Sequence, residues 1–278
     1  MESNRKAPDY LYHYTDLETL SLIVKHKTIR FNPLNKMDDL QENEAKDLRK
    51  AGSLVFVSSW TEDSFENIAM WKIYSSLNSG VRIKLPTFPF NIYDNTPDSF
   101  RSLGFSVQGD GAGLSTLIPI TEFFQKGYIC PSALNPKGSH FLKRIEYTSD
   151  KEKLYPKLLS QDTEHVNISM ESLGTYKNEY WAFQNEWRYI LRMFPIEIRD
   201  LQAIGKNIQE LVKSIIDGSV EIPFSHYDLT ISDDAFKSME VTMAPCFSEG
   251  NQAILAALKE AYNPNMTINE SALQGLIR

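Results

Sequence analysis

Three features of the sequence predict an α+β fold. Strand-like and helix-like patterns are mixed without a strict strand–helix–strand repeat. The strand-like runs are β-branched or aromatic and alternate with period two, as in SLVFVSS and GVRIKL. The composition, 42% hydrophobic and 23% charged over 278 residues, suits a chain with a substantial core. No linker-like stretch divides it, so one domain over residues 1–278 is expected.

In chain order, Tyr10-Leu11-Tyr12-His13-Tyr14 reads as a short strand. Thr15 or Asp16 can cap a helix from Leu17 to Lys25, whose Leu17, Leu20, Ile23 and Val24 share a face. Thr28 to Phe31 is a second strand, ended by Asn32-Pro33. Met37 to Lys50 reads as a charged helix outside the core. Ser53 to Ser59 is a strand, Phe65 to Tyr74 a helix rich in large apolar residues, and Gly80 to Leu85 an alternating strand. Pro86 to Gly138, rich in proline and glycine, reads as an irregular excursion with a few short elements. Loops of that length are uncommon unless they serve a site, so it is expected near the cleft. Its GDGAG, Gly109 to Gly113, lacks the strand–loop–helix frame and GK[ST] of a phosphate loop. Phe141 to Thr148 is a strand, and Lys151 to Trp181 reads as mostly helical, interrupted near Asn167 and Gly174. A helix at Ile204 to Asp217, strands near Leu229 and at Met239 to Met243, and a helix at Asn251 to Tyr262 complete the order.

Composition also excludes function classes. No apolar run reaches the length of a membrane span, and MESNRKAPDY has no apolar core for a secretory leader, so a cytoplasmic protein is expected. Cys130 and Cys246 are isolated, and the five histidines have no ligand spacing; no metal is expected. A net charge of -7 argues against broad, non-specific nucleic-acid binding but leaves room for a local basic groove.

The chain is organised around YWAFQNEWRYILR, Tyr180 to Arg192. From Glu186 it reads as a strand, with Glu186, Arg188 and Ile190 on one face and Trp187, Tyr189 and Leu191 on the other. Two readings stay open: a solvated ion pair, or a site carboxylate held by Arg188. His13 is a lone strand histidine, which is more often structural. Trp71 and Tyr74, three apart, share a helix side. Core packing is the simpler reading of Trp71, while Tyr74, near the helix end, can open onto a cleft and stack on a planar ligand. Asp38, Asp39, Glu42 and Glu44 suit the start of a helix electrostatically. Alternatively, Asp38, Asp39 and Glu42 with Glu186 would be the carboxylates of a metal-dependent nuclease.

LYHYTDLETLSLIVKHKTIRF, MDDLQE, FVSSW, MWKIYSSLNSGVRIKL, RIEYTSD and NEWRYIL occur in an order that resembles a large bacterial family known only as a domain of unknown function. The sequence departs from it in MDDLQE, where Asp38 replaces the usual Asn and Leu40 the usual Pro. The same skeleton is similar to the His-Tyr-Glu type of the ADP-ribosyltransferase superfamily. That resemblance implies a split mixed sheet with surrounding helices, and NAD as substrate. It implies His13, Tyr74 and Glu186 as catalytic residues, with Tyr14, Thr15, Arg30, Trp71 and Arg188 around the NAD; Arg82 is a further candidate for the pyrophosphate. Cleaving the nicotinamide–ribose bond creates an oxocarbenium-like ribose that a fixed carboxylate stabilises. Bacterial members with this start resemble toxins held by an antitoxin, some in anti-phage defence. The expected acceptor is RNA or single-stranded DNA, met by aromatic residues with Lys25, Lys27 and Arg30 or Lys143 and Arg144. A non-catalytic binding protein on a degenerate transferase fold is the remaining alternative.

Overall fold

The computed structural model describes residues 6–95, 114–134, 141–161, 166–195, 206–219 and 221–277. It is a mixed α+β structure built on a nine-stranded sheet. The first elements are β1 (Tyr10–Asp16), α1 (Leu17–His26), β2 (Thr28–Pro33), β3 (Val55–Thr61), α2 (Ile68–Tyr74) and β4 (Gly80–Pro86). Asp16 caps α1 by accepting from the Thr19 amide at 2.6 Å, and Lys27 ends it in the left-handed region at φ 55°. The Asn67 side chain caps α2 at the Ala69 and Met70 amides. Gly80 closes the turn into β4. A Cβ there would lie 2.4 Å from the Ser76 carbonyl oxygen, so only glycine fits this approach.

Between β4 and the late strands lie β5 (Tyr93–Asn95), β6 (Leu114–Thr116), α3 (Ile120–Lys126), β7 (Leu142–Arg144), β8 (Glu146–Thr148) and α4 (Lys151–Leu154). Then follow β9 (Leu159–Gln161), β10 (Val166–Ile168), β11 (Tyr176–Asn178) and β12 (Glu186–Arg192). The last elements are α5 (Lys206–Asp217), β13 (Tyr227–Thr230), α6 (Asp233–Lys237), β14 (Glu240–Met243), α7 (Glu249–Tyr262) and β15 (Thr267–Asn269). The sheet runs β13-β2-β3-β1-β4-β14-β15, with β12 on β3 and β7 on β12.

The pairing of β3 positions the site. β12 runs antiparallel to it along its full length, from Glu186 opposite Thr61 to Arg192 opposite Val55. The other edge of β3 is shared. β1 meets it at Tyr12 opposite Thr61, and β2 at Asn32 opposite Val57 and Pro33 opposite Phe56. The sheet therefore splits here, and Ser58, Ser59 and Trp60 lie outside both of these ladders. The burial of β12 follows the period-two reading. Trp187, Tyr189 and Leu191 join the main core with Leu11, Phe31 and Phe141, while Ile190 enters a second cluster with Leu34, Val55 and Val57.

Two expectations fail, and a third fails in part. Met37 to Lys50 is not a helix. Asp39 accepts from the Gln41 amide and the Asn43 side chain donates to the Leu40 carbonyl, local bonds that compete with helical ones. Among the described residues of Lys151 to Trp181 only Lys151–Leu154 is α-helical; the β9–β10 pair and a 3₁₀ segment, Glu179–Gln184, occupy much of the rest. The helix ends ahead of Pro156, and Gly174, at φ 74°, carries a turn where an interruption is expected. The described parts of Pro86 to Gly138 hold the few short elements expected, two strands and α3, but they pack into the main core through Phe90, Leu117, Ile118, Phe123 and Tyr128. None of them lines the cleft. GDGAG lies outside the described residues.

Candidate functional site

The split opens onto a cavity of about 420 Å³. Its wall includes His13, Tyr14 and Thr15 of β1, Arg30 of β2, Ser59 and Trp60 of β3, Tyr74 of α2, and Glu186 and Arg188 of β12. Seven of the eight residues expected around the ligand thus meet at one cleft. Trp71 does not. It is fully buried, lies edge-on to Tyr14 with ring centroids 4.8 Å apart, and donates its indole N–H to Glu66 at 2.9 Å. Its role is core packing, a correction to its expected place at the cofactor.

The floor is a chain of buried charges. The Arg188 guanidinium holds Glu186 Oε1 through Nε at 2.7 Å and Nη2 at 2.6 Å, and its Nη1 reaches Glu42 Oε2 at 2.8 Å. Lys177 Nζ of β11 lies 3.2 Å from Glu186 Oε2 and 2.9 Å from Gln184 Oε1. The side chains of all four charged residues are almost wholly buried, so a solvated surface pair is ruled out for Glu186 and Arg188. Burial alone would raise the Glu186 carboxyl, but Arg188 and then Lys177 outweigh it and hold the group below its ordinary value. Burial has the upper hand at Glu42. Its carboxyl is raised despite Arg188 and Lys177, with Glu186 adding repulsion. Cross-strand register sets Glu186 opposite Thr61 and Arg188 opposite Ser59. Asn185, left-handed at φ 42°, turns the chain into β12, and the Glu186 amide donates to the Tyr147 hydroxyl at 2.9 Å.

His13 fills the split. Its Nδ1 lies 2.8 Å from the Ser59 carbonyl, which requires a proton on Nδ1 and leaves Nε2 as an acceptor in the neutral ring. Burial, the largest influence, lowers its pKa and favours that neutral form. Trp60 flanks the ring at 5.1 Å. Alternation along β1 sends Tyr12 and Tyr14 to the face opposite His13, yet all three residues line the cavity. The Tyr74 hydroxyl accepts from Gln184 Nε2, and burial, ahead of Asp38, Glu186 and Glu42, raises its pKa. Arg30 lies on the wall at the α1–β2 end, bound to Asp228 through Nε at 2.9 Å and Nη2 at 3.0 Å. Arg82 is outside the lining; its guanidinium stacks 4.5 Å from the Tyr12 ring and donates to the Ser64 carbonyl.

Sequence reasoning missed Lys177, Gln184 and Ser59. Lys177 carries no pattern of its own, since its strand has three residues. Gln184 had a signal, because it stands two residues before Glu186. Among the described residues, no group of three or more His, Cys, Asp or Glu is placed to hold a metal ion. Glu42 and Glu186 share Arg188, so the nuclease reading gains no support from them. No helix of the described residues is long and apolar enough to cross a membrane. In comparisons with known proteins, no family model, curated protein or solved structure matches the chain.

Proposed function

We propose that the cleft binds NAD and transfers ADP-ribose, on a fold of the ADP-ribosyltransferase type. The observation that carries this reading is the convergence of His13, Tyr74 and Glu186, remote in sequence, on one cavity at the sheet split. Glu186, kept ionised by Arg188 and Lys177, faces the positive charge that develops on the ribose as the nicotinamide bond breaks. His13 Nε2 accepts a ribose hydroxyl, with the ring fixed through Ser59. Tyr74 stacks on nicotinamide while Gln184 holds its hydroxyl. Arg30, on the β2 wall, meets the pyrophosphate. The acceptor is RNA or single-stranded DNA, and the setting a toxin restrained by an antitoxin or an anti-phage system.

The test is incubation with labelled NAD and total cell RNA, DNA and protein. Nicotinamide release with label on nucleic acid supports the reading. Label on protein removes the nucleic-acid acceptor alone. Neither release nor transfer removes the transferase reading and leaves a binding protein on this fold.

A further inference from the structure

Glu42 has a place in the cleft that the roles above leave unused. It lies outside the elements that carry His13, Tyr74 and Glu186, in the irregular stretch between β2 and β3. Its Oε2 is fixed by Arg188 at 2.8 Å. Its Oε1 is buried, has no hydrogen-bond partner, and belongs to a side chain that lines the cavity. A buried carboxylate oxygen without a partner costs free energy, so a protein that keeps one at a cavity wall has a use for it. The same guanidinium holds Glu186 by its other edge, so the two carboxylates are set as a pair around one rigid group.

Resting on the NAD reading, we propose that Glu42 is the general base of the transfer: its free Oε1 takes the proton of the hydroxyl that attacks the ribose. The C1′–nitrogen bond breaks with its electron pair going to nicotinamide, which leaves neutral. The hydroxyl oxygen forms the new bond to C1′, and its proton passes to Glu42. No oxidant or reductant is required. The hydroxyl belongs to water in hydrolysis or to the acceptor in transfer, and both use the same base. The raised pKa of Glu42 suits a base, since a stronger base takes the proton more readily. The groups facing it are Arg188 and Glu186 of β12, Lys177 of β11, and Tyr74 of α2, with Asp38 on its own segment.

The experiment measures nicotinamide release across pH, with and without RNA, for wild type, Glu42→Gln and Glu186→Gln, with thermal melts alongside. Glutamine keeps an oxygen for Arg188 but cannot serve as the base. Glu42→Gln is expected to lower kcat about a hundredfold, with KM for NAD nearly unchanged. The acid limb of the wild-type rate, set by Glu42 above the ordinary carboxylate range, should vanish. A folded Glu42→Gln protein with wild-type kcat and an unchanged acid limb overturns the proposal and reduces Glu42 to a prop for Arg188. Loss of activity in Glu186→Gln in that same series would leave the NAD reading standing. Wild type without nicotinamide release removes both. If Glu42→Gln does not fold, the wild-type profile decides: a rate flat through acid and neutral pH overturns the proposal, and a raised acid limb sustains it. Loss of release only in the absence of RNA places water at Glu42; loss of release in the presence of RNA as well places the acceptor there.

Discussion

The two ends of the cleft are held in different ways. At the β12 end, Arg188 joins Glu186 and Glu42 with side chains of 1–4% exposure, and Lys177 closes the set. At the α1–β2 end, Arg30 and Asp228 form a paired contact of good geometry, but their side chains are 46% and 32% exposed. Water screens the second pair and leaves it worth little. The first has no water to fall back on, so each partner depends on the others. A site that must present one ionised carboxylate gains from the first arrangement. A wall that admits ligands gains from the second, because its groups exchange partners at small cost.

Arg188→Met would break the comparison most severely. It leaves Glu186 and Glu42 buried without their shared cation, and the expected loss is about 3–5 kcal/mol of stability, read by denaturant melts. A loss no larger than that of the Arg30 pair would mean that the floor is open to water.

Glu186→Gln comes next. In the proposed reaction it lowers kcat about a hundredfold or more and leaves KM for NAD nearly unchanged. Nicotinamide release by a normally folded variant at the wild-type rate would remove Glu186 as the catalytic carboxylate.

The two buried glutamates should respond to pH with opposite signs. Glu186 has a lowered carboxyl in the fold, so its stabilisation is present above the unfolded value, about 4.3, and is lost as pH falls through the folded value. Glu42 has a raised one. Its charged form costs stability that appears as pH rises through the folded value. Relative to wild type at neutral pH, Glu186→Gln should therefore lower the Tm and Glu42→Gln should raise it, with both differences shrinking in acid. Parallel pH dependence in the two variants would show that Arg188 does not divide the glutamates in this way.

The smallest effect belongs to the open end. Asp228→Asn removes the carboxylate from Arg30 and should cost less than about 1 kcal/mol, an effect that salt diminishes further in wild type. A larger, salt-independent loss would place this end in the same class as the floor.

The sequence by itself determined the strand faces and most of the elements that frame the cleft. Period two in EWRYILR assigned Trp187, Tyr189 and Leu191 to one core and Glu186 and Arg188 to the other face, because neighbouring side chains on a strand point apart whatever surrounds them. The cap and apolar stripe of α1, and the aromatic character of α2, were legible for the same reason: each is a local property of the chain. The stretch from Met37 to Lys50 was misread because charge favours a helix start and a side-chain-bonded loop alike. Only the tertiary structure decided that Glu42 from that loop and Lys177 from a three-residue strand would meet Arg188 and Glu186. The burial of Trp71, and the divergence of β1 and β2 from β3 that leaves Ser59 to His13, were decided there too. These depend on which distant segments exclude water together, and burial by remote neighbours leaves no period in the sequence.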